Sequence, residues 1–236
     1  LGLILCLETA TPVCSVALVR EGEILSQRES TAGNDHAALL SLFVTEVLAD
    51  AGLDIKSLDA IAVSMGPGSY TGLRIGASAA KGYCYALDKP LIAIPTLQAM
   101  ADGMRIEIQS ANEEMPAKLC FCPMLDARRM EVYSALYDSD NQCLREVEAE
   151  VLDENSFADF LRDHNVLFFG SGALKTQALL GENPAARFDL SYQHGAANIA
   201  RIAEQKFIKK EFEDMAYFEP FYLKDFVAGK PRVKGL

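Results

Sequence analysis

One order of segments occurs twice along this chain and limits the folds open to it more than any single residue does. Residues 2–9, 13–20 and 23–30 read as three strands joined by short turns, the second turn at Glu21-Gly22. Residues 34–51, "NDHAALLSLFVTEVLADA", read as a helix that Asn34 or Asp35 can cap and that ends near Gly52. A buried strand follows at 59–65, then a glycine-rich loop, a helix over 72–87, a strand at 91–94 and a helix from Thr96. The order returns further on. "KLCFCPMLDA", "EVYSALYD" and residues 142–150 are strands, "DENSFADFLRDH" is a helix capped by Asp153, "VLFFG" is a strand, and Ser171–Leu180 is helical. The halves match locally without a gap: Leu7-Glu8 and Ala17-Leu18 correspond to Leu125-Asp126 and Ala135-Leu136. A repeated β-β-β-α-β-α unit predicts a duplicated α/β fold of two lobes with a cleft between them. The predicted division is 1–110, 111–218 and a tail at 219–236. A helix over 195–212 places Ile199, Ile202, Ala203, Lys206 and Phe207 at helical spacing, and "YFEPFYLKDF" reads as an extended segment packed back on the body.

The loop between the strand at 59–65 and the helix at 72–87 is "SMGPGSYTGLRIG", residues 64–76. Gly66, Gly68 and Gly72 at a strand-to-helix junction can leave amides free for a phosphate, or can make a tight joint that only glycine allows. Gly66 has a counterpart in Gly170-Ser171-Gly172 of the second half, and Glu8 and Asp126 each stand where the first strand of a half ends. Two carboxylates across a cleft can hold Mg²⁺ or orient water; inherited turn residues bonding nearby amides are the plainer alternative. Glu8, Gly66, Gly68, Asp126 and Gly170 are thus the candidate nucleotide-binding positions, and the turn reading is preferred for them.

Charge and thiol chemistry narrow the function classes. The net charge is −11, which opposes tight binding of a polyanion by the chain alone; Lys224, Lys230, Arg232 and Lys234 near the end form the one basic cluster. The six cysteines include no C-x-x-C pair and there are three histidines, His36, His164 and His194, so zinc-site spacing is absent. Cys120 and Cys122 share one strand face, and buried reduced thiols are expected. No apolar run reaches the length of a membrane span, and the start has no basic segment or cleavage site, so a cytoplasmic protein without a membrane contact is expected.

"ILCLETATPVCSVALV", "LDAIAVSMGPGSYTGLRIG" and "PFYL" resemble the TsaB (YeaZ) family, densely up to about residue 100. The resemblance implies an actin-like, ribonuclease H-like duplicated fold, in agreement with the repeat. It also implies a role in tRNA threonylcarbamoyladenosine (t6A) biosynthesis beside two partners, the transferase subunit TsaD and the ATPase TsaE. Transferases of the TsaD type carry a His-x-x-x-His pair at the position that reads "IAIPTLQAMAD" here, so Thr96 and Met100 stand in place of metal ligands. A non-catalytic partner subunit without a cofactor is therefore expected. A metal-dependent glycoprotease-like peptidase and a small-molecule kinase of the same fold are the alternatives.

The helices supply the expected partner surface. In 72–87 only Arg74 and Lys81 are charged, and the apolar residues of the 36–51 stretch cover more than one narrow stripe. Leu39, Phe43, Val47, Arg74, Gly76, Ala79, Ala80 and Tyr83 are the candidate contacts with the transferase subunit, or with a second copy of this chain in a homodimer when that subunit is absent.

Overall fold

The structure is a computed structural model and describes residues 2–31, 35–111, 116 and 118–224. The first half runs β1 (Leu3–Glu8), β2 (Cys14–Arg20), β3 (Glu23–Ser30), α1 (His36–Asp50), β4 (Ala60–Gly66), α2 (Tyr70–Leu87), β5 (Leu91–Pro95) and α3 (Thr96–Ser110). The second runs β6 (Leu119–Asp126), β7 (Glu131–Tyr137), β8 (Cys143–Val151), α4 (Ala158–Asp163), β9 (Asn165–Phe169), α5 (Ala173–Leu180), β10 (Ala186–Asp189) and α6 (Ala196–Lys209). The two sheets have one topology, β3-β2-β1-β4-β5 and β8-β7-β6-β9-β10, with the first three strands of each antiparallel and the last two added in parallel. The repeat is therefore real at the level of strand order, and it is longer than the sequence suggests. The short β10 completes the second sheet, and α6 is the counterpart of α3.

Alternation along β1 shows how one strand serves two cores. Leu3, Leu5 and Leu7 pack with α1 and α2, while Ile4 and Cys6 face the other way onto α6. In β6, Cys120 and Cys122 share one face with Phe168 and Ala173, while Leu119 and Phe121 meet α3. All cysteines are free thiols and all but Cys143 are buried. Burial pushes the Cys14 and Cys120 thiols up to about 11, so both act as packing residues.

α6 leaves its own sheet, and α3 reaches from the first sheet, which it meets through Ala99, across to the second. Ile199, Ala200, Ile202 and Ala203 of α6 cover the back of the first sheet, and Leu97, Met100, Ala101 and Met104 of α3 cover the second. The exchange is fastened by Asp102 of α3, which is fully buried and accepts from Arg105 Nη2 at 2.9 Å and from Arg201 Nε of α6 at 2.7 Å. With their backs sealed in this way, the two sheets keep α1 and α2, and α4 and α5, as their outer layers.

Two ends differ from expectation. Asp153 does not cap α4, which starts at Ala158 behind a left-handed Phe157; the Asp153 carboxylate accepts from the Asn155 amide at 2.8 Å and closes a turn instead. α6 stops at Lys209, where Lys210 turns left-handed. At the start of α1, Asp35 holds the cap position without a side-chain bond, and Asn34 lies outside the described residues. Among the described residues no helix is long and apolar enough to cross a membrane.

The glycine loop is closed by the chain itself. The β1–β2 turn, Thr9 and Ala10, is buried against it. The Ser69 amide donates to Ala10 O at 2.7 Å, Thr9 Oγ1 donates to Gly72 O at 2.8 Å, and the Gly66 amide donates to Thr96 Oγ1 at 3.1 Å. A Cβ on Gly72 would stand 2.0 Å from Thr9 O, and one on Gly68 2.4 Å from Ala10 O. These glycines thus admit a backbone, and the backbone is the chain's own. Gly72→Ala is expected to destabilise the chain by about 3 kcal/mol, because neither the turn nor the helix can give way. Urea denaturation measures it, and a loss under about 1 kcal/mol would show that the contact yields.

Candidate functional site

Glu8, a candidate nucleotide-binding position for which the turn reading is preferred, is enclosed. Its Oε1 accepts from the Ala10 amide at 2.5 Å, its Oε2 accepts from Ser64 Oγ, and His194 Nε2 lies 2.8 Å from Oε2. Glu8, Ser64 and His194 are all buried. The carboxylate therefore holds its own turn and ties the end of β1 to β4 and to the segment that leads into α6. Nothing in the sequence pairs Glu8 with His194, because the contact exists only after α6 crosses to the first sheet. Gly66 and Gly68, the other candidate positions of this half, are covered by Phe221 O and Ala10 O, each within 2.5 Å of an added Cβ.

The second half differs. Asp126 is half exposed, accepts from Lys175 Nζ and from the Arg128 amide, both at 2.7 Å, and donates its own amide to Ser171 Oγ at 3.0 Å. Partial burial pushes its carboxyl up, but the Lys175 ammonium and the Arg128 amide outweigh that and hold it below the usual carboxylate value. Gly170 is left-handed at φ +90°, and a Cβ there would meet Met124 O at 2.5 Å. The structure does not bring Glu8 and Asp126 together around any shared partner.

Thr96 and Met100 are both interior. Thr96 Oγ1 accepts the Gly66 amide, and Met100 is a member of the core under α3 that a Cβ on Gly170 would strike. Both side chains are committed to packing. Among the described residues no three His, Cys, Asp or Glu are grouped as metal ligands.

The face formed by α1 and α2 is the most open of the candidate surfaces. Helical spacing turns Leu40, Phe43, Val44, Val47 and Leu48 of α1 inward, and likewise Gly72, Leu73, Gly76, Ala77, Ala80 and Cys84 of α2. Phe43, Val47, Gly76 and Ala80, expected as partner contacts, therefore belong to the chain's own interior. Of the other expected contacts, Arg74 is exposed, and Leu39, Ala79 and Tyr83 are half-buried.

Between the helices runs a groove of about 430 Å³, lined on α1 by Ala37, Leu40 and Ser41 and on α2 by Tyr70, Thr71, Arg74, Ile75, Ser78 and Ala79. Leu42 and Tyr85 are 50% and 81% exposed on the same two helices. The charges of α1 lie on its other side, where Glu46 and Asp50 pair with Arg28 of β3. Among the described residues Arg74 is the one charge of the lining. It lies over the Tyr70 ring at 5.5 Å, and Tyr70 in turn meets Tyr222 at 4.9 Å. Tyr222 belongs to the extended segment that packs back as expected: Phe218 enters the core beneath α1 and α2, and the Phe221 amide donates to Met65 O at 2.7 Å. Burial, with Tyr70 beside it, pushes the Tyr222 phenol above its ordinary value.

Comparison with known proteins agrees with this geometry. A family model for TsaD, tRNA N6-adenosine threonylcarbamoyltransferase, matches residues 24–230. The tRNA threonylcarbamoyladenosine biosynthesis protein TsaB of Haemophilus influenzae is 28% identical over 236 residues, covering 96% of this chain and 95% of that protein. TsaB of Bacillus subtilis is 34% identical over 173 residues, covering 71% of this chain and 70% of that protein. A Pseudomonas aeruginosa structure described as similar to the peptidase YeaZ superposes with a TM-score of 0.78 at 26% identity, covering 95% of this chain and all of that one. The actin-like, two-lobed α/β fold, the glycine loop and these matches agree, and the chain belongs to the TsaB (YeaZ) family of tRNA threonylcarbamoyladenosine biosynthesis proteins.

Proposed function

We propose that this chain is a non-catalytic partner subunit for threonylcarbamoyl transfer to adenosine 37 of tRNA, acting in the cytoplasm. The α1/α2 face holds a TsaD-type transferase subunit, a TsaE-type ATPase joins through that complex, and a second copy of this chain occupies the same face when the transferase subunit is absent. tRNA reaches the chain only within the assembly. The division into lobes at 1–110 and 111–218, with a tail from 219, suits this role, because both helices of the face lie in the first lobe.

The observation that carries this reading is the groove between α1 and α2, where Arg74 is the single charge among the described lining residues. Its small residues admit a close helix, and Gly82 of α2 adds to this. An added methyl there has nothing within 4 Å. A glycine inside a helix costs about 1 kcal/mol relative to alanine, and in the isolated chain no contact offsets that cost. A helix passing close over α2 would use the space. The absence of catalysis is supported by the committed side chains of Thr96 and Met100 and by the occupied glycine loop. A hydroxyl already bonded to Gly66 and a thioether inside the core supply no metal ligands, so peptidase chemistry has no support here.

Ser41→Arg and Ser78→Arg each place a cation in the groove at an exposed position. Both variants are expected to keep the wild-type thermal transition, to weaken binding of the transferase subunit about 100-fold, equivalent to about 2.7 kcal/mol, and to abolish threonylcarbamoyl transfer by the reconstituted mixture. Calorimetric titration and a modification assay read these outcomes; folded variants that bind at wild-type strength would remove the face from the interface. Gly82→Ala is expected to act in two directions, stabilising the isolated chain by about 1 kcal/mol in urea while weakening the complex. Stabilisation without weaker binding would place the partner away from this part of α2.

A further inference from the structure

The β6–β7 turn is the counterpart of Thr9 and Ala10, but the second half uses it differently. Where Thr9 and Ala10 are buried, Arg128 and Arg129 are exposed. They are successive left-handed residues, with φ of +73° and +46°. Two left-handed residues at a hairpin tip favour asparagine and glycine, because the Cβ of other L-residues crowds the neighbouring carbonyl. Arginine gains nothing from the turn itself. Neither guanidinium has an ion pair among the described residues. The two flanking carboxylates are already engaged. Asp126 accepts from Lys175 and from the Arg128 amide, and Glu131 pairs with Lys224. Lys175 and Lys224 thus occupy the two flanking carboxylates, and the two guanidiniums stand exposed on a chain whose net charge is −11. Beyond Lys224, residues 225–236 lie outside the described part; in sequence they carry Lys230, Arg232 and Lys234 against the single acid Asp225.

We propose that Arg128 and Arg129 form a contact for the phosphate backbone of RNA, used when this chain is assembled with the transferase subunit; the proposal rests on the subunit role above. Guanidinium matches phosphate oxygens in a two-pronged geometry that a lysine cannot offer. Two exposed guanidiniums on a projecting tip suit a wet, salt-sensitive contact with a polyanion better than a desolvated ion pair inside a protein interface. The two exposed guanidiniums also explain how a chain that repels RNA over most of its surface can accept it at one spot once a partner has brought it near.

Two double variants test the pair. Arg128→Asn with Arg129→Gly removes both charges and relaxes the turn; Arg128→Gln with Arg129→Gln removes the charges only. The thermal transition of the first is expected to rise, and both are expected to assemble with the transferase subunit as the wild type does. In both assembled complexes, affinity for an unmodified tRNA transcript is expected to fall about 10-fold, with the slope of log K against log salt reduced by about 2. Wild-type affinity and slope in either assembled variant would overturn the proposal. Weaker assembly with unchanged transcript binding would also overturn it, and would assign the pair to an acidic protein surface. If the wild-type chain itself does not assemble, the subunit role fails; the arginine pair is then judged on the isolated chain at low salt, where the same reduction in slope is expected and an unchanged slope overturns it.

Discussion

The contact between the Thr9–Ala10 turn and the glycine loop fixes where α2 begins. Thr9 O occupies the space that a side chain on Gly72 would need, and Ala10 O does the same at Gly68. Ala10 O takes the Ser69 amide, a donor that an open loop would aim at a phosphate, and Thr9 Oγ1 fastens Gly72 O. Glu8 completes the closure by turning back onto the Ala10 amide and Ser64. A constellation suited to holding an anion has become a joint that fixes the start of α2. The direction of α2, and with it the α1/α2 groove, follows from that joint.

The exchange of α3 and α6 is the second constraint. Each sheet is sealed behind by the last helix of the other half, and Asp102 with Arg105 and Arg201 fastens the crossing. Deleting the carboxylate would leave two guanidiniums partly buried without a counter-ion, so the network holds the halves in one arrangement whatever its net contribution to stability. With the backs closed, the outer helices keep Leu42 of α1, Tyr85 of α2 and Leu174 of α5 exposed. On α1 the acidic residues Glu46 and Asp50 are drawn to β3 by Arg28, away from the groove that α1 forms with α2. The same pairing that joins α1 to the sheet edge therefore shapes the α1/α2 face.

Much of this architecture was legible in the sequence because period and turn chemistry report local structure. The duplicated order, nine of the ten strands and the position of the glycine loop follow from alternation and from turn residues. β10 was not legible, because four residues, three half-buried and Arg187 exposed, carry too short a pattern. The start of α4 was misread at Asp153, whose carboxylate serves a turn as readily as a helix. The helix exchange was invisible for a different reason: Ile199 and Ile202 declare that α6 has an apolar face, but not which sheet it meets. The α1/α2 face was legible as a surface but not residue by residue. Phe43, Val47 and Ala80 are apolar at helical spacing, and that spacing alone does not separate the inward stripe from the outward one. The Arg128-Arg129 turn carried no signal at all, since arginine has no preference for left-handed backbone.

The central claim is that a closed glycine loop positions α1 and α2 as a docking face for a transferase subunit. Amide hydrogen exchange of this chain, alone and mixed with that subunit, tests it most directly. Slower exchange on mixing is predicted in peptides covering residues 36–50 and 70–87, with the β3 and β8 sheet edges unchanged. Protection confined to those edges or to α5, with α1 and α2 exchanging as in the free chain, would contradict it.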